Sequence, residues 1–255
     1  MTIYYEAIVF IFGLIIGSFL NCLIWRLYKN ETLGGRSYCP QCRQAIAWYD
    51  NIPVLSFILL GGRCRHCQKK ISWQYPLVEL ITAILFLLTW RTDVVSLNFS
   101  WLLLRDWLVV ITMIVVFVYD YRWQLVPMTI VWPMSGVIFI LNLILGIYWL
   151  NLLFFIVLSA GFFLIQYLIT KKKGIGEGDI WLGVLLGVIF PQAGSLLLIL
   201  LISYGLGALV GLTLMIGHKK GWKSSIALGP FLAVGAIITL IWGGQIIDWY
   251  GHFIY

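Results

Sequence analysis

Eight apolar runs recur along the chain, near residues 6–27, 76–90, 101–119, 128–148, 150–169, 180–192, 195–216 and 227–247. A hydrocarbon layer of about 30 Å takes roughly 20 helical residues to cross. Within it, only helices or closed barrels satisfy every backbone N–H and C=O. Charged residues make up 11% of the chain, against about 25% in soluble domains. The pattern predicts an all-α polytopic membrane protein with about eight transmembrane helices, and it argues against a soluble enzyme. Several runs are short, and 180–192 reads as a partial or tilted helix. The first run exceeds a cleavable signal core and lacks a small-residue cleavage site, so it reads as a retained span.

Basic residues orient these spans. Arg26, Lys29, Arg36, Arg43, Arg63, Arg65, Lys69 and Lys70 lie in or beside the first connection. Arg122 lies in the third, Lys171, Lys172 and Lys173 in the fifth, and Lys219, Lys220 and Lys223 in the seventh. With alternating spans, fifteen of the seventeen basic residues fall on one side, leaving Arg91 and Arg105 on the other. The positive-inside rule then makes the odd connections cytoplasmic and places both termini outside. The expected organisation is a first transmembrane helix at 1–27, a cytoplasmic loop domain at 28–74 and a multi-helix membrane domain at 75–255.

The loop carries Cys39-x2-Cys42 and Cys64-x2-Cys67. Two such knuckles deliver four thiolates to one tetrahedral Zn2+, and four protein ligands leave no open position, so the expected metal is structural. A reducing cytoplasm favours metal over disulfides, and no βαβ pattern supports a redox CxxC. His66 lies inside the second knuckle and reads as solvated, while Cys22 in the first span reads as packing. Arg63, Arg65, Lys69 and Lys70 with Trp48 and Trp73 could form a nucleic-acid surface. Topology accounts for these charges equally well, so no nucleic-acid partner is expected.

The ten acidic residues divide by position. Glu6, Asp93, Asp106 and Asp248 fall near outer span ends, where water reaches them. Glu31 and Asp50 lie in the loop. Glu79, Asp120, Glu177 and Asp179 fall at membrane segments on the lysine-rich side. Asp120 ends the run "ITMIVVFVYD", and Asp179 opens the next-but-two run after "GIGEG". The topology puts both at one depth. Ionisable groups at membrane depth mark function by default, and two close carboxylates share a proton. An ionised member can deprotonate water while its protonated partner polarises a peptide carbonyl, which is aspartic proteolysis. Asp179 as a helix cap, or Asp120 as a terminal acid beside Arg122, is the structural alternative. Gly174, Gly176 and Gly178 exceed what a cap requires and allow close approach of a substrate backbone. A phosphate loop is disfavoured, because no βαβ unit surrounds the glycines and an acid follows them.

These motifs resemble the bacterial type IV prepilin peptidases, over nearly the whole chain. "GSFLNCLIWRL" (17–27) is similar to a family signature, as are the four-cysteine loop with "WYDNIP", the "ISWQYPLVE" segment containing Glu79, the motif at Asp120 with Pro127, and "GEGD". The chain departs from the family at Met128, at Trp181-Leu182 and at Tyr28, and none of these removes a carboxylate. The resemblance implies that Asp120 and Asp179 are catalytic, with Gly176 and Gly178 forming the active-site loop. It implies removal of the basic leader from type IV prepilins or type II secretion pseudopilins, after a glycine, at the cytoplasmic face of the inner membrane. It also implies N-methylation of the new N-terminus with S-adenosylmethionine. Glu79 is a candidate for positioning substrate or cofactor, or for a buried polar role at a helix start. Because leader and loop are both basic, anionic lipids rather than the loop would hold the leader at the surface. Two rival readings are a presenilin-like GxGD protease, whose Pro-Ala-Leu element is missing, and a zinc-bearing transporter or assembly scaffold.

Overall fold

The computed structural model describes residues 2–93, 99–171, 175–216 and 227–254. Lys172, Lys173, Gly174, His218, Lys219, Lys220, Lys223 and the side chain of Asp93 lie outside the described residues. Each apolar run forms one helix: α1 Thr2–Lys29, α3 Gln74–Asp93, α4 Phe99–Trp123, α5 Met128–Ile144, α6 Trp149–Ile169, α7 Glu177–Ile189, α8 Ala193–Ile216 and α9 Gly229–Ile254. A further short helix, α2 Leu55–Leu59, lies in the first loop. Among the described residues, six helices are long and apolar enough to cross a membrane. The chain is thus an all-helical, multi-pass membrane protein. At 1.5 Å per residue, α5 spans about 26 Å and α7 about 20 Å, the latter matching the partial helix expected at 180–192. The chain divides into two compact units, Met1–Val95 and Ser96–Tyr255.

In the first unit, α1 and α3 pack antiparallel. A Cβ at Gly13 would lie 2.5 Å from the Ala83 Cα, and one at Gly17 would lie 2.6 Å from the Glu79 Cα. This four-residue glycine spacing brings the two backbones into direct contact, a packing mode that works where lipid removes the hydrophobic drive between helices. Arg91 donates twice to Glu6 at 2.9 Å at one end of the pair. At the other end, the Asn21 side chain donates to the Tyr75 carbonyl at 3.1 Å. Arg26 is buried, and its guanidinium gathers the carbonyls of Thr32, Leu33, Gly34, Gly35 and Arg36. This ties the start of the loop to the end of α1.

The second unit centres on α7. Cβ atoms at Gly183 and Gly187 would lie 2.7 Å from Phe163 Cδ2 and 2.5 Å from the Phe155 carbonyl, so α7 lies directly on α6. Its other side meets α5 through the Trp132–Trp181 ring pair, 4.6 Å between centroids. A helix this short leaves C-terminal carbonyls without intrahelical partners, at a depth where unpaired groups are costly. Asn142, wholly buried, donates to the Val188 carbonyl at 2.6 Å, and Asn151 donates to that of Pro191 at 3.1 Å. Arg105 pairs with Asp106 and reaches Asn142 Oδ1 at 3.4 Å. Asp106 is therefore buried, at 4% exposure, and not in contact with water as its place near a span end suggests. The Arg105 charge beside it is what makes that burial tolerable.

Candidate active site and metal centre

The two cysteine knuckles have the same backbone form. In the first, the Cys39 N–H donates to the Gln44 carbonyl and the Arg43 N–H to the Cys39 carbonyl, at 2.9 and 2.8 Å. In the second, the Cys64 N–H donates to the Lys69 carbonyl and the Gln68 N–H to the Cys64 carbonyl, both at 3.0 Å. Arg43 and Gln68, each directly after its second cysteine, take φ of 56° and 55°. These left-handed residues turn each chain back so that both sulfurs of a knuckle point the same way. All four Sγ atoms lie within 4.8 Å of one another, with Cys39 and Cys67 at 3.9 Å. A tetrahedral site with metal–sulfur bonds of about 2.3 Å has sulfur–sulfur edges of about 3.8 Å, so the cluster fits such an ion. The Cys67 and His66 backbone N–H groups help hold the Cys64 thiol at about 7. At Cys42 the Gln44 N–H acts in the same sense, but burial and the neighbouring Cys39 and Cys67 thiols outweigh it and push that thiol to about 11. Four thiolates need a cation among them. His66 is exposed and outside the cluster. Asp50, held below the usual carboxylate range by Arg65, anchors the second knuckle to the turn Trp48–Asn51 through two bonds of 2.7 and 2.6 Å.

Glu79 is buried in α3, and its carboxylate accepts the Val54 N–H at 2.8 Å. Val54 takes φ of 60°. That conformation is strained for a β-branched residue and persists where surrounding contacts enforce it.

Asp120 and Asp179 both lie in the second unit, and both are buried, at 5% and 8% exposure. Asp120 sits in the last turn of α4. The chain reverses at Gln124, with φ of 55°, and enters α5 past Val126 and Pro127. A Cβ on Gly178 would lie 2.6 Å from Val126 Cγ2, so the loop before Asp179 rests on the turn that follows Asp120. Gly176, and not Asp179, is the N-cap of α7. Asp179 is the third helical residue, and its Oδ2 accepts the Gly176 N–H at 3.1 Å. The positive end of the helix dipole also faces it. The two carboxylates lie within electrostatic reach of each other. Among the described residues neither makes an ion pair, and Arg122 instead lies over the Trp123 ring.

Sequence reasoning missed two neighbours of these acids. The Gly229 N–H, at the start of α9, donates to the Asp120 carboxylate. A Cβ on Gly229 would lie 2.4 Å from Asp120 Oδ2. The signal was a Gly-Pro pair opening an apolar run, which looks like an ordinary helix start. The second neighbour is Tyr204, whose hydroxyl donates to Gln166 at 2.7 Å and which lies within electrostatic reach of Asp179. Nothing in one sequence marks a tyrosine within an apolar run. Beside Gly229 opens a cleft of about 300 Å³, lined by Tyr204, Gly207, Ala208, Ala227, Leu228 and Phe231.

The model of the bacterial peptidase A24 N-terminal domain matches residues 11–92, and that of the type IV leader peptidase family matches residues 107–212. The chain is 34% identical to the prepilin leader peptidase/N-methyltransferase of Aeromonas hydrophila, over 96% of this chain and 93% of that protein. The chain belongs to the type IV leader peptidase family. Its similarity to the protein of the same name from Pseudomonas putida is 32% identity, over 95% of this chain and 92% of that protein. It is also 32% identical to the type 4 prepilin-like proteins leader peptide-processing enzyme of an Escherichia coli strain, over 89% of this chain and 90% of that protein. No solved structure matches the chain. The two family matches include the cysteine cluster, Glu79 and both aspartates, whereas Gly229 lies beyond them. Membership does not favour the presenilin-like and scaffold readings.

Proposed function

We propose that this chain is an aspartic endopeptidase of the bacterial inner membrane that removes the leader from type IV prepilins, with Asp120 and Asp179 as its catalytic pair. The observation that carries the proposal is that two buried carboxylates, on α4 and α7, lie within electrostatic reach of each other, and among the described residues neither makes an ion pair. In the proposed cycle, the ionised member takes a proton from a water held between the two. The protonated member donates to the scissile carbonyl oxygen as hydroxide adds to the carbon. The tetrahedral species then collapses and a proton passes to the leaving amine. Gly176 and Gly178 form the loop that positions Asp179. Glu79, with its carboxylate engaged by Val54, positions the loop of the first unit. The cysteine cluster holds a structural zinc, outside the peptidase chemistry. The lysine-rich connections and both carboxylates face the cytoplasm, with both termini outside. Type II secretion pseudopilins are further proposed substrates, and anionic lipids are proposed to hold the basic leader at the membrane surface. The relatives' names extend the proposal to N-methylation of the new N-terminus with S-adenosylmethionine as donor, an activity to which no residue is assigned.

Purified chain in phosphatidylethanolamine–phosphatidylglycerol vesicles, incubated with a purified type IV prepilin, should yield the leaderless product. The rate should peak where one carboxylate is protonated and the other ionised, and fall on both sides. No cleavage of any prepilin, or a flat pH profile, rules out the shared-proton pair.

Gly229→Ala offers a sharper local test. The added methyl group overlaps Asp120 Oδ2 and must displace the carboxylate or the start of α9. Misplacement of a reacting group by about 1 Å can cost about 10²-fold in rate. Cleavage is expected to drop by that order while thermal melting changes little. Wild-type cleavage by this variant would mean that Gly229 does not set the position of Asp120.

A further inference from the structure

Helix α2, Leu55–Leu59, presents three large apolar side chains to the outside: Leu55 at 49% exposure, Ile58 at 66% and Leu59 at 76%. Their i, i+3, i+4 spacing puts them on one face. The opposite side is anchored. Phe57 packs on Trp73, with centroids 4.9 Å apart, and a Cβ on Gly62 would touch the same Phe57 ring. Just before the helix, the Val54 N–H is held by the Glu79 carboxylate.

These anchors fix the height of α2. Glu79 lies about 8 Å along α3 from its start at Gln74, inside a helix that crosses the membrane. Trp73 immediately precedes that helix, where aromatic side chains mark the membrane–water boundary. Across the pair, Lys29 at the end of α1 lies 5.3 Å from the Trp25 and Tyr28 ring centroids, a second boundary marker. The first loop is therefore pinned at the surface layer, with its apolar helix face open.

We propose that α2 is an interfacial anchor, lying in the plane of the bilayer surface with Leu55, Ile58 and Leu59 in the boundary between headgroups and acyl chains. The occupant of this face is phospholipid. Charge supports that choice, because Arg63, Lys69 and Lys70 are exposed in the same loop and complement anionic headgroups while disfavouring a basic peptide. A helix with one apolar face and cations nearby is the form such anchors take. The anchor would hold the cysteine cluster at a set height above the membrane.

Site-specific photocrosslinking tests this. p-Benzoylphenylalanine is placed at Ile58 or Leu59, with Gln44, an exposed polar position in the first knuckle, as control. Each variant of the full chain is reconstituted in phosphatidylethanolamine–phosphatidylglycerol vesicles together with prepilin, and its melting curve is compared with wild type. The expected result is a phospholipid adduct at Ile58 and Leu59 several-fold more abundant than at Gln44, detected by mass spectrometry. Adducts to prepilin, to a second copy or to another part of the chain overturn the proposal. So does equal lipid labelling at Gln44, or no adduct from a variant that melts like wild type.

Discussion

Asp120→Asn and Asp179→Asn are each expected to reduce prepilin cleavage by about 10²–10⁴-fold, the range over which positioned acid–base groups act. Asparagine matches aspartate in shape, and its carbonyl oxygen can still accept the bond from Gly229 or Gly176. It cannot take a proton from water, nor pass one on. Neither acid makes an ion pair among the described residues, so the substitution strands no cation among them. It also replaces a buried ionisable group with a neutral one, which costs less to bury. The variants should therefore insert and melt at or above the wild-type temperature, separating loss of chemistry from loss of fold. Near-normal cleavage by either one would remove that residue from the catalytic pair.

The second large effect is expected from the metal. Purified protein should contain about one zinc per chain, lost when Cys39 and Cys64 are changed to serine or when a chelator is applied. Between residues 28 and 74 the only buried apolar residue is Cys39. The segment has two isolated β-bridges, one turn of 3₁₀ helix and the five-residue α2. Such a piece cannot bury enough apolar surface to fold unaided. In zinc-finger peptides the ion supplies about 10–16 kcal/mol of apparent binding free energy, which is folding free energy. Removing it should expose the loop to proteolysis within residues 30–73 while the long helices stay protected. Zinc-free wild type, or a loop equally resistant with and without chelator, would show that the knuckles stand without a metal.

Much of this was legible in the sequence. The eight helices follow from apolar run length, since lipid admits no other open-ended structure. The four-cysteine cluster follows from two CxxC pairs, because x2 spacing already points both sulfurs of a knuckle one way. Asp120 and Asp179 stood out because charge is so scarce in such a chain. Asp106 was misread from its position. A span-end position suggests water, but whether water arrives depends on the surrounding packing, and here Asp106 is buried against Arg105, which in turn reaches Asn142.

By itself, then, the sequence determined the class of protein, the number of helical runs, the four-cysteine cluster and the two acids, all of which rest on composition and short spacing. Only the tertiary structure decided how those acids are held. That Gly178 rests on Val126, that Gly229 must lack a side chain beside Asp120, that Asn142 closes the end of a helix too short to finish on its own and that Glu79 restrains Val54 are contacts between residues 25 to 109 positions apart. Long-range contacts of this kind leave no local pattern, because close packing sets them through which surfaces meet and not through the order of residues along the chain.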